Sequence, residues 1–514
     1  MGAWSLYFLA KIGLYWGQLI GLHWGLNLLF AAALAWPLQQ PRLRLARHVL
    51  AVPVALALLY HDSFLPPLAR LWSQLGALAS FSAAYWLELA GRLVAWPVLA
   101  ALALLVLLYL ALRRRLRFAT LAFAGLLSAA LLPAPGFWAR GADPAPTLNP
   151  RADAGAPLEP GQLGARLAGF YATEADKLAP LPPGVTPAFD VIVLSICSLS
   201  WEDLDEVRMR DAPLLSRFDL VFRQFNSAAS YSGPALLRLL RASCGQTPQS
   251  TLYEAAPAQC HLFGNLAQAG YESALLMNHD GHFDNFAEQL RNLGGLGVAP
   301  TTDSGAPVAM QAFDGTPIQA DFDVLARWWQ PRSSSAAPLA LLYNSVTLHD
   351  GNRVPGLQSL RSRDTFKPRL TTLLADLERF ITLIETSKRP TLLLLVPEHG
   401  GAIRGDAVQI SGLRELPTVG ITSVPAAAKL IGFEGFSSGG GPVVVDKPSS
   451  YFALASLVAT LMPLGRTLDG RAQLEAIARE LPGTDWVAEN DGTVLMRQGE
   501  RSYLRSPDGS WTAY

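Results

Sequence analysis

Acidic residues are almost missing from the start of the chain: residues 1–135 contain only Asp62 and Glu88, against ten Lys and Arg. From Ile12 to Trp36 there is no Asp, Glu, Lys or Arg at all. Charged residues make up 16% of the sequence, and there are 3 cysteines in 514 residues, too few for a small disulfide-stapled scaffold. An overall basic excess is also lacking, with 41 Lys and Arg balanced by 41 Asp and Glu. The +8 carried by residues 1–135 therefore leaves −8 for the rest, which excludes a broad nucleic-acid-binding surface. A basic, apolar N-terminal part and a mildly acidic globular part are expected, since the length exceeds one ordinary domain.

The apolar runs give the first part its meaning. Ile12 to Trp36 is long enough to cross a hydrocarbon core of about 30 Å at about 1.5 Å per residue, and Leu93 to Leu112 is a second such run. Val49 to Leu65 and Phe118 to Leu132 are shorter and follow the basic clusters Arg42/Arg44/Arg47 and Arg113/Arg114/Arg115/Arg117. Both clusters belong on the cytoplasmic side of a membrane, so an even number of crossings separates them. Leu71 to Gly91, with Gln74, Glu88 and many small residues, reads as an interfacial helix. Four crossings, or five with the N-terminus inside, put everything after residue 135 on the outer face. A cleaved signal peptide does not fit a stretch this long followed by further spans. His23 reads as a helix–helix hydrogen-bonding group.

Residues 136–186 are dense in Pro, Ala and Gly and read as a linker with one amphipathic helix near Gly161 to Lys177. The catalytic domain is expected over 187–514. Near-continuous apolar strands there (FDVIVLSI, YESALLM, PLALLYNSV, TLLLLVP) alternate with helical patterns such as Phe366 to Glu385. That is the pattern of a mostly parallel sheet covered by helices on both faces, with a small antiparallel sheet over Trp486 to Trp511. Ligands bind beyond the carboxyl ends of such strands. Cys197, His349, Glu398 with His399, and His279 with Asp280 and His282 each follow one of them. Ser232 falls where a loop turns into a helix, a place that suits both an ordinary N-cap and a nucleophile facing a phosphoryl group. A thiolate, a carboxylate and an imidazole make a reasonable zinc set. A Cys244–Cys260 disulfide is the expected pairing in an oxidising compartment, with Cys197 left as the odd thiol.

The segments VIVLSICSLSWEDL, SYSGPALLRLLRASCGQ, TLHDGNR, PEHGGAIRGDAVQ and ISGLRELP together resemble the phosphoethanolamine transferases of the alkaline-phosphatase superfamily, and most of all the branch attached to bacterial cellulose synthesis. The resemblance implies an alkaline-phosphatase/sulfatase-like domain in the periplasm, anchored in the inner membrane by a multi-pass helical domain over 1–135. It implies Ser232 as nucleophile, a single Zn2+ held by Cys197, Glu398 and His399 with Ser232 completing the set, and Tyr231, His349 and Arg414 around the phosphoryl group. Phosphatidylethanolamine would be the donor, the glucose 6-hydroxyl of cellulose the acceptor, and cellulose synthase complex subunits the partners. Lipid A transferases typically carry threonine and acidic residues where this chain has Ser232, Cys197 and Glu398, which argues against lipid A as acceptor and leaves a second zinc in doubt. Another envelope glycan, a sulfatase- or phosphodiesterase-like hydrolase and a scaffold for the synthase stand as alternatives. Trp201, Trp328 and Trp329 are candidate sugar platforms whose ordinary fate is core packing. His279, Asp280 and His282 stay outside the expected metal set.

Overall fold

A computed structural model describes residues 2–17, 19–63, 80–93, 96–131, 159–335, 337–357, 359, 361–406 and 408–514. The chain divides into two compact units, Met1–Gly76 with Leu89–Ala152, and Ala77–Glu88 with Asp153–Tyr514. The expected linker up to residue 158, and the expected interfacial helix up to residue 79, lie outside the described residues.

The first unit is helical, with helices Trp4–Trp16, Trp24–Ala35, Pro41–Asp62, Trp96–Leu112 and Phe118–Leu131. Phe8, Ile12, Ala31, Leu34, Ala51, Ala122 and Leu126 form its core. The run Ile12 to Trp36, read as one span, is broken instead into helices of 13 and 12 residues. Gly17 caps the first and Gly21 lies in the break, where the cost of helical glycine favours an interruption. Among the described residues, Pro41–Asp62 is the helix long and apolar enough to cross a membrane by itself, and Ala83–Arg92 with Trp96–Leu112 passes the same test only when the two are taken together. Lys11 and Asp62 pair at 2.5 Å in the interior, and His23 Nδ1 meets Asp62 Oδ1 at 2.7 Å, the helix–helix hydrogen bond expected of that histidine.

The second unit is built on an eight-stranded sheet. Its strands are β1 (Asp190–Ile196), β2 (Leu220–Asn226), β3 (Glu272–Met277), β4 (Pro300–Thr301), β7 (Leu339–Ser345), β8 (Thr391–Pro397), β9 (Ser423–Ile431) and β10 (Val443–Val445), in the order β10-β2-β9-β8-β1-β7-β3-β4. Only β9 runs against its neighbours. Between β4 and β7 lies a separate hairpin, β5 (Val308–Gln311) and β6 (Pro317–Gln319). Alternation explains why the central strands read as unbroken apolar runs: Val191 and Val193 enter one core, and Ile192, Leu194 and Ile196 enter the core on the opposite face. The C-terminal strands β11 (Trp486–Asn490), β12 (Thr493–Gln498), β13 (Arg501–Arg505) and β14 (Trp511–Ala513) form the antiparallel sheet expected there. Asp491 and Gly492, with φ of 47° and 86°, make the tight turn announced by Asn-Asp-Gly.

The helix expected near Gly161 to Lys177 forms at Pro160–Ala175, but it is packed rather than tethering. Leu163, Leu167 and Phe170 bury against Val487, Val494, Met496 and Tyr503. Buried Glu174 accepts hydrogen bonds from the Gln246 backbone and the Thr484 hydroxyl. A side chain at Gly245 would run into the Glu174 carbonyl at 2.2 Å. This helix therefore belongs to the second unit, beside the Cys244–Cys260 disulfide, which is formed.

Candidate active site

Parallel strands β8, β1, β7 and β3 lie side by side, so their carboxyl ends open onto one edge of the sheet. Backbone pairing continues one residue beyond them: Cys197 N–H donates to Ser345 O, Glu398 N–H to Ile196 O, and Asn278 N–H to Asn344 O. These bonds fix where the first side chains past each strand can point. Ser198 then takes a left-handed φ of 66°, a strained turn for a non-glycine residue directly after Cys197.

Cys197, Glu398 and His399 are brought together, with one ligand atom from each lying within 4.8 Å of the others. Ser232, the first residue of helix Ser232–Leu240, places its Oγ 3.4 Å from Cys197 Sγ and 3.2 Å from His399 Nε2. His399 Nε2 is 3.8 Å from Cys197 Sγ and 4.0 Å from Glu398 Oε2. The edges of a tetrahedron built on zinc bond lengths are about 3.3–3.6 Å. The donor set thus has nearly the spacing a zinc ion needs.

Hydrogen bonds settle which atoms are free to ligate. His399 Nδ1 donates to Gly400 O at 2.8 Å, which leaves the Nε2 lone pair facing Ser232 and Cys197. Glu398 Oε1 accepts from Asn344 Nδ2 and, at 3.3 Å, from Ser195 Oγ. Among the described residues Glu398 Oε2, which is buried, has no hydrogen-bond partner, an arrangement that costs free energy unless a cation satisfies it. Burial, then the charge of Glu398, pushes the Cys197 thiol up to about 12, and burial also raises Glu398. Burial and the Arg414 charge hold His399 well below the usual imidazole range. Burial thus works against the charged forms of both Cys197 and Glu398, and a bound cation would favour them. The residues fit zinc.

Arg414 is buried, donates to Ser198 Oγ at 3.2 Å, and lies over the Tyr231 ring at 5.1 Å. Its Nε has no hydrogen-bond partner among the described residues, so a donor remains for an anionic ligand. Tyr231 donates its hydroxyl to Glu415 at 2.8 Å. His349 Nδ1 donates to Asp350 O at 2.7 Å, leaving Nε2 as a lone pair. Burial first, and Arg414 second, lower His349 to about 4, so it is a neutral base at physiological pH.

Several contributors carried no sequence signal of their own: Ser195, Asn344 and Ser198 are polar residues within or beside an apolar strand, and Glu415 lies in the loop between β8 and β9. His279 also gains a place. Its Nδ1 accepts from the Gly281 N–H at 3.2 Å, so its Nε2 is the donor to Asn344 Oδ1 at 2.8 Å. Asn344 in turn donates to Glu398, making a buried relay from His279 to the ligand carboxylate. Asp280 and His282 stay outside it, paired with each other at 2.8 Å and largely exposed. Trp329 is buried in the core against Phe380, Trp328 packs against that core, and Trp201 is partly buried under Arg210, so none of the three forms an open sugar platform.

Residues 4–131 match the family described as the cellulose biosynthesis protein BcsG N-terminal domain, and residues 148–511 match the corresponding C-terminal domain. The cellulose biosynthesis protein BcsG of Escherichia coli K12 is 35% identical over 547 residues, covering 100% of this chain and 96% of that protein. BcsG of Salmonella typhimurium LT2 is 36% identical over 548 residues, with 100% and 96% covered. Among solved structures, the integral membrane lipooligosaccharide phosphoethanolamine transferase A of Neisseria meningitidis is 13% identical with a TM-score of 0.43, over 93% of this chain and 98% of that one.

Proposed function

The chain belongs to the cellulose biosynthesis protein BcsG family, and from that premise we propose that it transfers phosphoethanolamine from phosphatidylethanolamine to the glucose 6-hydroxyl of cellulose by way of a phosphoethanolamine-serine intermediate. The observation that carries this reading is Ser232 Oγ held at a helix start against a buried Cys197/Glu398/His399 set whose Glu398 Oε2 has no hydrogen-bond partner among the described residues.

Cys197, Glu398 and His399 would hold a zinc ion, whose charge would lower the pKa of the Ser232 hydroxyl and draw charge from the phosphoryl oxygens. Ser232 Oγ forms a bond to phosphorus while the bond to the diacylglycerol oxygen breaks. His349 Nε2 accepts the serine proton and returns it to that leaving oxygen. The glucose 6-hydroxyl then attacks the same phosphorus as the bond to Ser232 Oγ breaks, and His349 accepts the 6-hydroxyl proton and passes it to the departing Ser232 Oγ, restoring the hydroxyl. Arg414 offers its unpartnered Nε to the phosphoryl oxygens that gain charge at each displacement. Tyr231, under Arg414 and bonded to Glu415, shapes the wall beside the nucleophile. The helical part anchors the enzyme in the inner membrane by several crossings, with the catalytic unit in the periplasm within reach of lipid headgroups and of the cellulose synthase complex.

Purified full-length protein, phosphatidylethanolamine and a cello-oligosaccharide provide the test, with mass spectrometry of both products. Diacylglycerol and a sugar carrying phosphoethanolamine are expected from the native protein and not from Ser232→Ala. Equal modification by the variant removes Ser232 as nucleophile, and diacylglycerol release without sugar modification replaces transfer by hydrolysis.

A further inference from the structure

One of the two acidic residues in the N-terminal 135 is committed to the catalytic unit. Glu88, on the helix Ala83–Leu93, has a fully buried carboxylate. It accepts from the Ser362 N–H at 2.7 Å and from Arg353 Nη2 at 2.6 Å. One turn earlier, Tyr85 donates its hydroxyl to Asp350 Oδ2 at 3.0 Å, and Ser362 Oγ bonds to Asp350 Oδ1 at 2.5 Å. Asp350 is the residue whose carbonyl orients the His349 imidazole. The His349 ring also packs on Phe313 with centroids 4.9 Å apart, and Phe313 is held by Phe81 at 5.3 Å, by Tyr85 at 5.8 Å and by the Ser82 N–H to its carbonyl at 3.0 Å. Gly351, at a φ of 84°, is needed for this approach, because a Cβ there would meet Phe313 Cβ at 2.5 Å and the Tyr85 ring at 2.8 Å. Buried Arg369 closes the loop from the other side, donating to the carbonyls of Thr347, His349 and Ser362.

We propose that Tyr85 and Glu88 are positioning residues for His349: the segment Phe81–Glu88, remote in sequence from the catalytic domain, clamps both the carbonyl that orients the imidazole and the aromatic surface on which it rests. Neither side chain touches the Cys197/Glu398/His399 set, so the clamp acts on proton transfer and not on metal retention. The assignment rests on His349 as the proton carrier of the proposed reaction. It further implies that a catalytic fragment starting near Pro187, although it retains every residue of the cage, lacks a wall of its own active site.

The test uses the full chain with Tyr85→Phe, which deletes one hydroxyl, and Glu88→Gln, which keeps shape and removes the ion pair to Arg353. Each is measured alone and combined with His349→Ala for transfer rate, KM for the lipid donor, bound zinc and thermal stability. The expected result is a fall in kcat of about 10- to 100-fold with KM and zinc content unchanged. In the His349→Ala background the same substitutions should cost less than about twofold, because residues acting through one group are not additive. Equal loss in both backgrounds, or unchanged kcat in either variant that still binds zinc, overturns the proposal. Absence of transfer by the wild-type chain overturns the proposed function instead, and is distinguished by that control.

Discussion

Asn344→Leu separates what the protein invests in holding Glu398 from what the cage does by itself. The substitution has nearly the same volume and removes two things at once: the Nδ2–H donor on Glu398 Oε1 and the acceptor for the buried His279 Nε2–H. A hydrogen bond to a charged group contributes about 1.5–3 kcal/mol, and a buried donor left unpaired costs about 1–3 kcal/mol. The first loss falls on metal binding, since the carboxylate carries its charge when a cation is present, and it corresponds to a zinc affinity lowered about 10- to 100-fold. The second falls on the folded protein whether or not metal is bound. The double variant Asn344→Leu/His279→Leu distinguishes them, because removing both partners of a buried hydrogen bond is close to neutral. Zinc affinity, measured by chelator competition, should stay low in the double variant while denaturant stability of the metal-free protein recovers. Affinity within twofold of wild type in Asn344→Leu, or recovered affinity in the double variant, refutes the relay from His279 to Glu398.

The depressed His349 pKa sets a pH profile: a histidine lowered to about 4 is already in its base form above that pH, so kcat/KM should hold steady from pH 7.5 to 5.5 and lose the contribution of His349 only as pH falls toward 4. A limb near pH 6.5 that disappears in His349→Ala would show an unperturbed imidazole. Opening the Cys244–Cys260 disulfide, which closes a loop with a sequence separation of 16, by replacing both cysteines with alanine should lower unfolding stability by about 3 kcal/mol in denaturant titrations. A loss under 1 kcal/mol would mean that the packing of Glu174 against Gly245 already fixes that loop.

The sheet could be read in the sequence because each central strand is buried on both faces and so is written as continuous apolar text, as in Val191 to Ile196. The convergence of Cys197, Glu398 and His399 followed from the same text, since parallel neighbours must deliver their next residues to one edge. The N-terminal helices were less legible. An apolar run shows that a segment avoids water but not where it breaks, and Gly17 and Gly21 lie in a stretch that remains apolar on both sides of the interruption.

What the sequence hid most completely were the residues that orient others. Asn344 looks like a blemish in LALLYNSV, and Glu88 looks like the acid that makes a helix interfacial. Each becomes intelligible only through a partner hundreds of positions away or across an intervening strand: Glu398, past β8, for Asn344 on β7 with β1 between them, and Arg353 with Ser362 for Glu88. Burying such a side chain is costly without its partner, so the polar exceptions inside apolar segments are the places where tertiary structure must supply one. By that reasoning Ser195, Asn278, Asp321 and Asn344, all buried in or beside these strands, mark a polar layer under the cage. Its hydrogen bonds bear this out: Asn278 donates to Thr347 and Asp321, and Tyr343 and Thr347 donate to Asp321. The Cys197/Glu398/His399 set therefore rests on a buried polar floor that also fixes the start of the His349 loop, so the proposed metal ligands and the proposed proton carrier are set by one framework and not by two.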